Sequence, residues 1–261
     1  MHTYIDTHAH LDLLENAEQA IKNAHDNGVS KIITINTSIE RISELEKLVA
    51  TFDNIYYTIG EHPCQNLIDA QKCYQKLDEY CANLPPSLVA LGETGLDRKN
   101  NTPTELIFDQ IELFQAHLSV AAKYKLPVVV HSRNADAELI NILRKFPDVK
   151  GVLHCWTGSF ETAQKAIDLG YMISFSGILT FPKKTEYLVE QAKKLPLEHI
   201  VIETDSPYLA PHPYRGSKNE PKNVVLVGQY LSYIRQQAED EVQKQLYINT
   251  HRLFNLVKQG L

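Results

Sequence analysis

Side chains of the kind that bind metal ions recur in this chain directly behind short apolar runs. Asp6-Thr7-His8-Ala9-His10 follows Tyr4-Ile5, and Gly92-Glu93 follows the run at 88–91. His131 follows 127–130, His154 follows 151–153, and Glu203-Thr204-Asp205 follows 199–202. Neutral imidazole nitrogen and carboxylate oxygen are the donors that borderline divalent cations accept, so the set points to metal chemistry. Each member alone is a weak signal. A lone histidine behind a strand is more often structural, and with 11 histidines in the chain one H-x-H pair is ordinary. The joint pattern decides, because imidazoles and carboxylates buried behind five apolar runs are costly unless a cation or hydrogen bonds satisfy them.

The elements that must position these groups alternate along the chain. Apolar runs at 4–5, 31–35, 55–59, 88–91, 127–130, 151–153, 171–175 and 199–202 read as eight strands. Their continuous apolar character suits strands buried on both faces, as in a parallel sheet. Between them lie segments of helical periodicity. In 104–125, Ile107, Ile111, Phe114, Leu118 and Ala121 form one apolar stripe, with Thr102 as N-cap, Pro103 at the first helical position and Glu105 as capping-box acid. Helices are also predicted over 15–27, closed by Gly28, and over 159–169, closed by Gly170. Repeated strand–helix units favour a closed barrel or a doubly wound sheet. With eight strands the expectation is a (β/α)8 TIM barrel, one domain over 1–261, with 210–223 as a long loop over one end.

In such a barrel the C-terminal strand ends converge on one face. His8 and His10, two apart on a strand, point the same way and can grip one cation. Asp205 enters from strand 8, the neighbour of strand 1 on closure, and can complete that shell. His131 and His154, from adjacent strands 5 and 6, can hold a second cation, and Glu93 has two oxygens with which to bridge the pair. Two ions roughly 3.5–4 Å apart can share a water, lower its pKa and clamp the attacked group. A nearby carboxylate then takes the proton, with Asp205 the first choice and Glu203 the second.

Composition sets the outer bounds. The 261 residues are 43% hydrophobic and 22% charged, ample for a large core. A net charge of −6 and a pI near 6.0 argue against a broad non-specific nucleic-acid face, though not against a local basic patch. Cys64, Cys73, Cys81 and Cys155 form no C-x2-C pair and read as free thiols. The N-terminus lacks the basic and apolar regions of a signal peptide, and no apolar run reaches the roughly 18 residues of a membrane span. A cytoplasmic enzyme with no membrane association and no obligate protein partner is expected.

The chain resembles the TatD-type metal-dependent hydrolases, a family of deoxyribonucleases within the amidohydrolase superfamily. The matching motifs are Asp6-Thr7-His8-Ala9-His10-Leu11-Asp12, Gly60-Glu61-His62-Pro63, Gly92-Glu93-Thr94-Gly95-Leu96-Asp97, His131-Ser132-Arg133 and His154-Cys155-Trp156-Thr157-Gly158-Ser159. Glu203-Thr204-Asp205-Ser206-Pro207-Tyr208-Leu209-Ala210-Pro211 and Arg215-Gly216-Ser217-Lys218-Asn219-Glu220-Pro221 follow. The resemblance implies a TIM barrel and metal ligation by His8, His10, Glu93, His131, His154 and Asp205, with Glu93 standing where other superfamily members place a carboxylated lysine. It also implies 3′-to-5′ exonuclease action on DNA with magnesium or manganese. Arg98 and Trp156 depart from the family's usual tyrosine and phenylalanine.

Arg133, behind a ligand position, and Arg215, on the long loop, are candidate phosphate contacts, because guanidinium suits bidentate phosphate recognition. His62 is a candidate substrate or phosphate contact, and Trp156 could stack a base, although an aromatic at a barrel rim is as often there for packing. Lys183, Lys184, Lys218 and Lys222 read as solvated surface charge. Two divalent cations are expected. Four histidines suit zinc or another borderline transition ion such as nickel, whereas magnesium prefers an oxygen-rich shell; zinc or nickel is expected to occupy the site even where magnesium or manganese supports turnover. A metal-dependent hydrolase of a lactone, amide or phosphotriester is the alternative, since the same ion pair attacks any polarised C=O or P=O centre.

Overall fold

Residues 3–65, 68–99, 103–181 and 185–256 are described by a computed structural model. Its strands are β1 (Tyr4–Ala9), β2 (Val29–Thr34), β3 (Ile55–Ile59), β4 (Leu88–Asp97), β5 (Val128–Arg133), β6 (Gly151–Leu153), β7 (Tyr171–Phe175) and β8 (Ile200–Ile202). They pair in sequence order, every neighbouring pair parallel. The last edge meets the first just beyond β8. Asp205 N–H donates to the His8 carbonyl (2.8 Å), His10 N–H donates to the Ser206 carbonyl (2.8 Å), and Ala9 bridges Ser206. The fold is therefore a (β/α)8 TIM barrel.

Every strand contributes to a common inner cluster: Ile5, Ile33, Tyr56, Val89 with Ala90, Val129, Val152, Met172 and Val201. A layer drawn from all eight strands is the filled interior of a barrel, and each fully buried Val or Ile in it contributes about 1.5–3 kcal/mol. Phe254 and Leu256 join the layer from the end of the chain and plug the face where the strands begin. A larger cluster packs the outer surface of the strands against the helices.

The helices are α1 (Ala17–Asp26), α2 (Ile42–Val49), α3 (Ala70–Cys81), α4 (Thr104–Tyr124), α5 (Asp136–Leu143), α6 (Phe160–Asp168), α7 (Glu186–Lys194), α8 (Val224–Arg235) and α9 (Glu239–Phe254). Asn16 caps α1 by accepting from Gln19 N–H, and Ser159 caps α6 by accepting from Thr162 N–H. The α4 helix starts at Thr104, where the run 104–125 begins, but its cap differs from the sequence pattern. Pro103 is its N-cap, with extended ψ of 146°, rather than its first helical residue; Thr102 lies outside the described residues. All four cysteines are free, and among the described residues no helix is long and apolar enough to cross a membrane.

The largest departure from the sequence pattern is β4. Its apolar run ends at Leu91, yet the strand continues to Asp97, so Glu93 lies inside it rather than behind it. Two glycines allow this. Gly92 and Gly95 have φ of 129° and 138°, and a Cβ on them would stand 2.4 Å from the Val129 carbonyl and 2.1 Å from that of His131. Only glycine admits such a close approach of β4 to β5.

Candidate metal centre

The C-terminal ends of the strands carry a cluster of imidazoles and carboxylates, and the rings of His10, His131 and His154 are each oriented by a partner on the far side. His10 Nδ1–H donates to the Ile35 carbonyl (3.3 Å), which leaves Nε2 facing the cluster. His154 Nδ1–H donates to Glu203 Oε1 (3.3 Å). His131 is reversed: Nε2–H donates to Asp97 Oδ2 (2.9 Å), so Nδ1 faces inward. Carboxylate or carbonyl acceptors behind imidazoles fix the tautomer and raise the basicity of the nitrogen in front. His8 stacks flat on His154, with ring centroids 4.0 Å apart and planes at 10°. Its buried Nδ1 has no partner among the described residues.

The inward atoms form two groups around Glu93. On the Oε2 side, His8 Nε2 lies 3.3 Å from His10 Nε2, 3.5 Å from Glu93 Oε2 and 3.6 Å from Asp205 Oδ1. His10 Nε2 lies 3.9 Å from Glu93 Oε2 and 3.4 Å from Asp205 Oδ1. Donors about 2.0–2.2 Å from a common centre in a tetrahedron stand roughly 3.3–3.6 Å apart, so this set fits a cation. On the Oε1 side, His154 Nε2 is 2.7 Å, His131 Nδ1 3.0 Å and His62 Nε2 3.3 Å from that oxygen. His131 Nδ1 and His154 Nε2 are themselves 3.3 Å apart. The donor chemistry and spacing suit divalent cations on both sides.

Charge follows the same division. Burial opposes ionisation of Glu93, but the charges of His154 and His62 and hydrogen bonds from His131 and His154 outweigh it and hold the carboxyl well below its ordinary range. Burial likewise disfavours a charged His154, yet Glu93 and Glu203 lift it well above the usual imidazole value. His10 and His131 are raised despite burial, by Asp205 and by Asp97 with Glu93 respectively. His8 is lowered, first by burial and then by the charge of His154. Without a cation these carboxylates hold protons on their neighbouring imidazoles, and a bound cation would displace those protons.

Backbone contacts set the site in place. The Asp6 carboxylate accepts from His8 N–H (3.3 Å), Thr204 N–H (2.9 Å) and Thr204 Oγ1–H (2.5 Å), tying β1 to the segment that carries Asp205. Glu93 N–H donates to the Asn36 carbonyl (3.0 Å), and His62 N–H to that of Thr37 (3.0 Å).

The six expected ligands thus meet within one mouth, together with His62. Glu203 is fully buried, and Ser174 Oγ–H donates to its second oxygen (2.5 Å). Arg133 is exposed at the end of β5, and the Arg215 guanidinium lies over the Phe181 ring at 4.6 Å. Lys218 pairs with Glu15 and Lys222 with Glu220, whereas Lys183 and Lys184 lie outside the described residues. Trp156 is not a rim residue. It is 2% exposed, packs over Gly158 and donates Nε1–H to Gln191 Oε1 (3.0 Å), so no base can stack on it. Arg98 pairs with Glu138 at 2.6 Å.

Two contributors escaped the sequence pattern. Asp97 lies four residues past Glu93 on the same strand, and even spacing along β4 was the available signal that both share a face. His117, inside α4 and wholly buried, donates Nδ1–H to the Leu113 carbonyl (2.8 Å) and accepts Glu61 N–H on Nε2 (3.0 Å), fixing the backbone beside His62. No spacing rule marks it, because it falls on the helix's apolar stripe.

The family model described as TatD related DNase matches residues 5–255. The chain belongs to the TatD family. Among TatD relatives, an uncharacterised metal-dependent hydrolase of Buchnera aphidicola is 39% identical over 89% of this chain and 91% of its own length. The uncharacterised metal-dependent hydrolase YcfH of Escherichia coli is 36% identical over 97% of this chain and 96% of its own. The crystal structure of the TatD homologue YjjV from E. coli superposes with a TM-score of 0.89 at 30% identity, covering 97% of this chain and 98% of that one. The protein is a metal-dependent hydrolase of this TatD family.

Proposed function

We propose that this TatD protein is a deoxyribonuclease that removes nucleotides from the 3′ end of a DNA strand with two divalent cations. The observation that carries it is the division of Glu93, whose Oε2 faces His8 and His10 while Oε1 faces His131 and His154. His8, His10 and Asp205 would hold one ion, His131 and His154 the other, and Glu93 would bridge them. Bound there, the pair supplies Lewis acidity toward a phosphodiester and lowers the pKa of a water. The family description favours DNA, and Arg133 and Arg215 supply cationic groups suited to phosphate.

The protein's own groups divide the remaining work. Asp205 Oδ1 faces His8 and His10, while its other oxygen has no partner among the described residues and accepts the proton of the attacking water. Burial works against its ionised form, but the His10 hydrogen bond and the charges of His8, His10 and His154 keep its pKa below the ordinary value, so it stays a carboxylate. Glu203, the alternative acceptor for this proton, has both oxygens engaged and is fully buried. It positions His154 instead. His62 Nδ1 accepts from Cys64 N–H (3.0 Å), so Nε2 carries a hydrogen; it faces Glu93 Oε1 at 3.3 Å and would be released toward a phosphoryl oxygen once a cation engages that carboxylate.

A metal-by-substrate screen tests the proposal. Protein stripped by chelator and reloaded with zinc, magnesium, manganese or nickel is given a 5′-labelled single-stranded oligonucleotide beside a panel of lactones, amides and phosphotriesters. The expected result is stepwise shortening from the 3′ end, abolished by Glu93→Ala, which removes both faces of the bridge. Turnover of a small-molecule ester with an intact oligonucleotide would overturn it.

A further inference from the structure

Beside the metal centre stands a ring that the chemistry above leaves idle. Tyr208 follows Asp205 by three residues, and its ring meets His10 edge-on, with centroids 6.2 Å apart and planes at 71°. It is 53% exposed, and its hydroxyl has no hydrogen-bond partner among the described residues. Leaving so large an apolar face in water forgoes the stabilisation its burial would bring, so its position at the mouth calls for an explanation.

The backbone under this ring is held at both ends. Tyr208 N–H donates to the Asp205 carbonyl (2.8 Å), and its own carbonyl accepts from Asn219 Nδ2 (2.7 Å). Asn219 is fully buried. The same Nδ2 group donates to the Thr204 carbonyl (2.9 Å), and its Oδ1 accepts from Asn223 Nδ2 (2.9 Å) and Glu220 N–H (3.0 Å). One buried amide thus pins the turn that carries both Asp205 and Tyr208. A rigidly presented aromatic face beside a reaction centre loses little entropy when a flat partner settles on it.

We propose that Tyr208 is the stacking platform for the terminal base of a single-stranded nucleic acid whose last phosphodiester lies at the metal centre. The proposal rests on the nuclease reading and adds a selector for unpaired ends. A base is one sugar removed from its phosphate, which matches a ring standing edge-on to a centre histidine rather than inside the centre. Every base offers a π-face, so the platform accepts any of the four, but a base still paired and stacked in a duplex cannot reach it.

The test pairs two substrates with four proteins. One 5′-labelled single strand ends in a normal 3′ nucleotide; the other ends in a sugar without a base. The wild type is expected to prefer the normal end in kcat/KM by about 5- to 150-fold, the range seen when base–aromatic stacking is removed. Tyr208→Ala brings this ratio toward one. Tyr208→Phe restores it, because the hydroxyl is not used. Tyr233→Ala, which removes a 78% exposed ring on α8, leaves the ratio intact. A wild type indifferent to the missing base, or a ratio that survives Tyr208→Ala, overturns the stacking role while the nuclease reading stands. If no metal supports cleavage of either strand, both fall together.

Discussion

Replacing Asp97 by Asn keeps the shape behind His131 and removes the charge. In the native site burial would raise the Asp97 carboxyl, but the His131 hydrogen bond and charge, with smaller help from Cys64 and Arg133, bring its pKa down from 3.8 to about 2. A shift of that size corresponds to about 2 kcal/mol, and screening near the open mouth leaves on the order of 1–2 kcal/mol. Linkage is reciprocal, so His131 loses basicity by the same order when the charge goes. The cation held by His131 and His154 should then bind about 10- to 100-fold more weakly, the usual effect of losing a carboxylate behind a ligating imidazole. The cation at His8, His10 and Asp205 should be unaffected. Zinc or manganese titration against a chromophoric chelator resolves the two events. Two unchanged affinities, or a loss confined to the His8–His10 side, would refute the role given to Asp97.

Two further substitutions probe the support of the mouth. Burial holds His117 neutral and lowers its pKa from 6.5 to about 4. Its contribution to stability is therefore complete above pH 6.5 and is lost as pH falls toward 4, because the unfolded chain takes up the proton first. His117→Gln, which can still accept from Glu61 N–H, should lose on the order of 2–3 kcal/mol less than the wild type between pH 7 and 4.5; parallel urea midpoints of the metal-free proteins would rule this out. Gly95→Ala places a Cβ 2.1 Å from the His131 carbonyl at a φ of 138°. It should cost at least about 2 kcal/mol, lower the melting temperature by about 4 °C or more and weaken the same cation as Asp97→Asn; an unchanged melting curve would contradict the close approach.

The strands were legible because parallel barrel strands are buried on both faces, and the runs at 55–59, 151–153 and 171–175 coincide with β3, β6 and β7. The clustering of six ligand-type residues was legible for a related reason: polar side chains behind such runs have no packing explanation. What the pattern could not show depends on backbone geometry across strands. That β4 runs on through Glu93 to Asp97 follows from two glycines whose need is visible only with β5 beside them. Trp156 reads as a rim aromatic from its place behind His154, yet the turn sends it back under Gly158 to Gln191. Asn219 and His117 act through backbone amides and carbonyls, which carry no residue signature.

The seam between the two ends of the sheet runs through the metal-binding segments themselves, at His8, His10, Asp205 and Ser206. A chain emerging from the ribosome must therefore keep one side of β1 unpaired until residue 206 has been made. Open strand edges invite pairing with other chains, so this is the interval of greatest exposure to aggregation. The hydrogen bonds that end it also draw Asp205 up to the two histidines of β1. Metal uptake at that position would accordingly mark the closing of the sheet in a newly made molecule, and a bound cation would retain molecules that have reached it.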